Sequence, residues 1–124
     1  MAGKIIADTL EHSTAGVVDT NHLVKSIPKA HIKSNVLATG ATSNQSSFLI
    51  SSITDEGLGD ADINFTNAFA NDGYVAIGTV TGIYVGASVS THMTSTTSSK
   101  DDIRIYRTAY LDAPLSYIAI GELA

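Results

Sequence analysis

Apolar side chains recur at every second position in short runs, and each run is closed by Gly, Asp, Asn, Ser or Pro; that pattern leaves antiparallel sheet as the fold for this chain. Ile63 and Phe65 alternate with Asp62, Asn64 and Thr66, and Phe48, Ile50 and Ser52 alternate with Ser47, Leu49 and Ser51. From Tyr74 to Thr81 both sides are apolar, Tyr74, Ala76, Gly78 and Val80 opposing Val75, Ile77 and Thr79, which predicts a central strand. Ile83, Val85, Ala87 and Val89 alternate with Tyr84, Gly86, Ser88 and Ser90, and "DIRIYRTAY" and "SYIAIGEL" repeat the pattern. The only place for helix is a turn or two around His22 to Ser26. The expected fold is all-β: a single small antiparallel β-sandwich, jelly-roll-like.

Residues 1–22 read as an N-terminal arm or anchoring strand, with a strand pattern from Ile5 to Leu10 followed by "EHSTAGVVD"; residues 23–124 read as the sandwich domain. Such an arm suits anchoring to a neighbouring chain. Two hydroxyl-rich stretches, Thr42 to Ser47 and Ser90 to Asp102, separate strand-like runs and read as loops. The second is long for a hairpin connection, and long loops concentrate binding functions. Thr91, His92 and Thr94 in it, with Tyr110, form the candidate surface contact set; a plain solvated loop or an extended polar strand fits the same residues.

A chain of 124 residues fits one domain. Its hydrophobic fraction is 44%, but with no Trp, three Phe and five Tyr the core is thin. Backbone ordering costs about 1–2 kcal/mol per residue, so burial against a partner is expected to add to the core. Absence of cysteine excludes a disulfide framework and thiolate chemistry. A net charge of -5 argues against nucleic acid as a partner; Lys25, Lys29 and Lys33 recur every fourth residue, but Pro28 interrupts a helix there. The apolar run in "MAGKIIADTL" is too short for a signal peptide or a membrane span, so neither export nor membrane insertion is expected. The triplets at Asn44 and Asn64 then read as chance matches to a glycosylation motif.

The stretch "SSITDEGLGDADINFTNAFANDGY" looks most like a site. Its Gly-x-Gly precedes a strand pattern, so no helix N-terminus is present to receive a phosphate. Asp55, Glu56, Asp60 and Asp62 lack the alternating ligands and closing Glu of an EF-hand loop. A hairpin explains more: Gly57 and Gly59 supply positive φ for a turn or bulge, Phe65 is core, Phe69 folds back as a plug, and "NDG" makes a second turn.

No catalytic constellation is legible. His12, His22, His31 and His92 are scattered, no Gly-x-Ser-x-Gly elbow occurs, and the carboxylate pairs Glu56 with Asp60 and Asp101 with Asp102 read as solvating. A histidine near a three-fold axis would appear three times and make a metal or anion site invisible in one chain; no cofactor or metal is otherwise implied, and the chain is expected not to be an enzyme.

"FLISSITDEGLGDADINFTNAFANDGYVAIGTV" resembles a pattern in tail-fibre-like and other virion structural proteins of marine and environmental bacteriophages, most specifically over Phe48 to Tyr74. "GKIIADTLEHSTAG" is similar to their opening strand, "HLVKSIPKAHIKSN" falls at their connector and a strand beginning Lys-Ala, and "DIRIYRTAYLDAPLSYIAIGEL" resembles their last two strands. In place of an "AWVNF"-like strand this chain has "AHIKSN", with His31 at the Trp position and the largest core residue of that strand lost.

The resemblance implies a homotrimer and a virion role, with no catalytic residues to carry over. The expected function is a non-enzymatic phage virion subunit of the tail-fibre or receptor-binding kind, assembled in the host bacterial cytoplasm. Its partners are then its own copies, other tail or capsid proteins and a host cell-surface glycan. Two alternatives stand beside it: a capsid decoration or head-fibre protein that stabilises the head, and a carbohydrate-binding module using Tyr84, Tyr106, Tyr110 or Tyr117 as aromatic platforms.

Overall fold

The computed structural model describes residues 7–14, 16–20, 25–38, 41–81, 86–93 and 96–124. Its strands are β1 (Thr9–His12), β2 (Gly16–Asp19), β3 (Pro28–Ala38), β4 (Ala41–Phe48), β5 (Ile50–Gly57), β6 (Asp60–Phe65), β7 (Val75–Val80), β8 (Ser88–Ser90), β9 (Lys100–Tyr106) and β10 (Leu115–Ile120). β1 and β2 form a separate hairpin, and the other strands make two four-stranded antiparallel sheets, β4-β3-β10-β7 and β5-β6-β9-β8. The all-β expectation holds, with the sheets packed face to face. Consecutive strands β3–β4, β5–β6 and β8–β9 pair within one sheet, an order built from hairpins that differs from the double Greek key of a jelly roll.

The core follows from alternation. Ala30 and Ile32 of β3 and Leu115, Tyr117 and Ala119 of β10 are buried toward Ala61, Ile63 and Phe65 of β6 and Ile103 and Ile105 of β9. Ala76, Ala119 and Ala30 lie side by side across three strands, a row too small to fill the ~10 Å between packed sheets. Large rings from the β6–β7 connection compensate. Phe69 and Tyr74 stack at 4.4 Å, and Phe65 meets both edge-on at 4.9 and 5.3 Å. Gly121 lies directly beneath them: a Cβ there would come within 2.7 Å of Tyr74 Cβ and 2.9 Å of Phe69 Cδ1. Phe69 is therefore the plug expected from the sequence, and "NDG" makes its turn through Gly73 N–H donating to Asn71 Oδ1 at 2.8 Å.

Several expectations are corrected. Among the described residues Val75–Val80 is an edge strand, not a central one; its inner side packs while Val75 and Ile77 stay exposed. Thr42 to Ser47 lies within strand β4 instead of a loop, because pairing with β3 satisfies its backbone regardless of side-chain polarity. The run from Ser47 to Ser52 is broken at Leu49, whose φ of 52° marks the passage from one sheet to the other. Strand β9 begins at Lys100, so Asp101 and Asp102 belong to sheet and are buried, not loop carboxylates in solvent. His31 sits on the outer face, where Ala30 and Ile32 are the buried neighbours, so the Trp position of the resembling pattern is no core position here. The helical turn expected at His22 to Ser26 lies largely outside the described residues, as does the Ile83 to Val85 run.

Candidate functional site

The outer faces of the two sheets differ in chemistry. On the β5-β6-β9-β8 side, Thr54, Asp62 and Asp102 lie side by side across three strands. There Lys100 Nζ meets Asp62 Oδ2 at 2.6 Å and Arg104 Nε meets Asp60 Oδ2 at 3.1 Å. The hydrogen bond to Asp62 raises the Lys100 pKa, and the charge of Asp60 raises that of Arg104. Both cations of this face, Lys100 and Arg104, are thus paired.

The β4-β3-β10-β7 side carries one largely apolar row beside a polar one made of Thr79, Ser116, Lys33 and Ser46. Register places Ile77, Ile118, His31 and Phe48 in one row across all four strands. Ile77 is 64% exposed, Phe48 52% and Ile118 44%. The exposed His31 ring stacks on Phe48 at 5.9 Å, 19° from coplanar. Val75, also exposed, extends the row toward Ile120. Lys29 and Lys33 flank His31 along β3, and among the described residues neither is in an ion pair. Where the row reaches Val75 and Ile120 it borders a cavity of about 330 Å³ lined by Phe69, Tyr74, Lys25 and Glu122. The row is a contiguous exposed strip, apolar apart from His31 and bordered by Lys29 and Lys33.

The β1–β2 hairpin pairs with neither sheet. Leu10 faces Val18 across it, Glu11 faces Val17 and Thr9 faces Asp19. Leu10, Val17 and Val18 are all exposed. At its base Thr20 N–H and Oγ1 both donate to Asp8 O at 2.8 Å, closing the ladder.

A third feature lies inside the sandwich. Asp101, wholly buried, accepts from Tyr117 Oη at 2.7 Å, from His92 N–H at 2.8 Å and from Thr96 Oγ1 at 3.0 Å. Burial, then the charge of Asp101, pushes the Tyr117 phenol far above its ordinary value, and Tyr74 shifts the same way for the same reasons. Tyr74 Oη donates to Lys100 O at 3.1 Å, and the His92 ring lies against Tyr74 at 4.7 Å. This cluster clasps the β8–β9 connection to the core.

The candidate contact set is not brought together. Thr91 and His92 lie beside Asp101 and the Ala76 carbonyl, whereas Tyr110 bridges Tyr106 at the other end of β9, about 16 Å away at ~3.3 Å per residue. Thr94 lies outside the described residues. Among the tyrosines considered as platforms, Tyr117 is buried and spoken for by Asp101, and Tyr84 lies outside the described residues. Tyr106 and Tyr110 form an exposed edge-to-face pair at 5.5 Å.

The acidic turn is a hairpin tip. Gly57 and Gly59 have φ of 138° and 67°, Gly57 N–H donates to Asp55 Oδ1, and Gly59 N–H donates to Asp112 Oδ1. Among the described residues no cluster of three His, Cys, Asp or Glu stands ready for a metal ion, and no helix is long and apolar enough to cross a membrane.

Sequence reading missed both the row and the cluster. Alternation marked Ile77 and Ile118 as apolar without showing which strands would align them, and no local signal separates the buried Asp101 from a solvated one. In comparison with known proteins the chain matches no family model, no curated protein and no solved structure.

Proposed function

We propose that this chain is a non-enzymatic structural subunit of a bacteriophage particle, a small appendage of the tail-fibre or receptor-binding kind that works by associating with its own copies and with other virion proteins. The observation that carries this reading is the exposed row Ile77, Ile118, His31 and Phe48. A thin core makes such a surface expensive to leave in water, and association into a homotrimer would cover it. The resemblance over Phe48 to Tyr74 supports the same reading, since those residues form the β5–β6 hairpin and the aromatic plug.

The test is the copy number of this protein in purified virions, by quantitative mass spectrometry against the major capsid protein. A ratio of a few per cent is expected for an appendage. A ratio near one to one moves the role to capsid decoration, and absence from the particle overturns the virion reading. Light scattering tests the trimer: three chains of 12.9 kDa give 3 × 12.9 = 38.7 kDa.

A second reading, glycan binding, is favoured by the exposed Tyr106 and Tyr110 pair. Loss of glycan-array binding on Tyr110→Ala with folding intact supports it, and unchanged binding removes that tyrosine.

A further inference from the structure

We infer that the β1–β2 hairpin of each copy covers the Ile77–Ile118–His31–Phe48 row of a neighbouring copy, so that the chains associate by donating their N-terminal arms. The inference rests on the self-association reading above and names the contact that would carry it.

Each half of the contact is incomplete alone. A lone two-stranded hairpin is marginal in water and needs a further surface to pack on. This one leaves Leu10, Val17 and Val18 exposed and joins neither sheet. The row across β4-β3-β10-β7 is likewise uncovered by the described residues of its own chain, so the two apolar surfaces do not satisfy each other within one copy.

Charge selects the match. Asp8 stands at the base of the hairpin and Glu11 beside Val17 on the face opposite Leu10 and Val18, and the row is bordered by Lys29 and Lys33 beside His31. Those lysines make no ion pair among the described residues, whereas Lys100 and Arg104 on the opposite face are already paired. An acidic apolar arm therefore complements the β3 side and meets no free cation in the Lys100–Arg104 ladder. In a chain of net charge -5, two copies repel at long range, and the lysine-flanked face is one that an acidic arm approaches favourably.

Dimensions agree. Strands sit about 4.8 Å apart, so the outermost axes of the four-stranded face lie roughly 14 Å apart, and a hairpin two strands wide fits within it. Eight residues separate Asp19 from Pro28. Their contour length is at most about 28 Å. Because the donated contact joins two different surfaces, it closes a ring where its rotation divides a full turn, and three copies make the smallest such ring beyond a pair.

The chain has no cysteine, which makes the test direct. Val18→Cys carrying one tag and Ile77→Cys carrying another are co-expressed and treated with a short bismaleimide. A product holding both tags at 2 × 12.9 = 25.8 kDa is expected. The doubly substituted chain bridged within itself, with no doubled mass, overturns the exchange and puts the arm on its own sandwich. Static light scattering then compares the wild type with Leu10→Asp plus Val18→Asp, both exposed positions, with circular dichroism confirming the fold. A fall from a multiple of 12.9 kDa toward one chain, with association weakened about tenfold or more, supports the arm contact. An unchanged multimer overturns it while leaving self-association in place; a wild type at 12.9 kDa at all micromolar concentrations overturns both.

Discussion

Tyr117 of β10 donates its phenolic hydrogen to Asp101 of β9 at 2.7 Å, tying one sheet of the sandwich to the other from within the core. The carboxylate also holds His92 and Thr96, so one buried group anchors the sheets and the β8–β9 connection together. A buried ion is tolerated only when its oxygens are filled, and here three donors fill them.

Tyr117→Phe leaves Asp101 Oδ2 without its cross-sheet donor at little change in volume. The expected loss is about 1–3 kcal/mol, read as a lower urea midpoint at unchanged slope. Asp101→Ala strands three donors at once and should cost more; a cost below that of Tyr117→Phe would mean that the carboxylate is not the hub.

Alkali should unfold the protein through the same residues. Burial, then Asp101, raises the pKa of Tyr117 and Tyr74. An unfolded tyrosine ionises near pH 10, so above that pH the unfolded chain sheds protons that the folded chain still holds. Their contribution to stability is complete below about pH 10 and is lost as pH rises beyond it. Tyrosinate absorbance is expected to gain a step that coincides with loss of the far-ultraviolet strand signal; full ionisation near pH 10 with the fold intact would refute this.

Gly59 has no room for a side chain. A Cβ there would lie 2.7 Å from both Ile105 O and Leu111 N, and its φ of 67° is left-handed. Gly59→Ala should lose more than about 2 kcal/mol. Gly57→Ala, strained at φ 138° but with nothing within 4 Å, should lose less. Equal losses in thermal melts would show that backbone strain alone matters at this turn.

Ile77→Thr with Phe48→Ser tests the outer row. Both side chains are more than half exposed, so each change should alter single-chain stability by no more than about 0.5 kcal/mol. Ile63→Ala, in the core, should cost about 2–5 kcal/mol. Association measured by sedimentation should follow the opposite ranking per unit of stability lost. Wild-type association in the double variant would release this row from any interface role.

Local pattern was enough for an all-β chain, the turn at Asp55 to Asp60, and the burial of Phe65 and Phe69, because alternation and glycine turns act over a few residues. The tertiary structure alone decided that polar Ala41–Phe48 is a strand, that Val75–Val80 is an edge, and that Asp101 is buried beneath Tyr117. Strand pairing is satisfied through the backbone and is blind to side-chain polarity. An apolar outer face carries the same local signature whether its cover comes from its own chain or from another. Which residues line up across a sheet is set by register between distant segments, and that is how Ile77, Ile118, His31 and Phe48, far apart in sequence, come to share one surface.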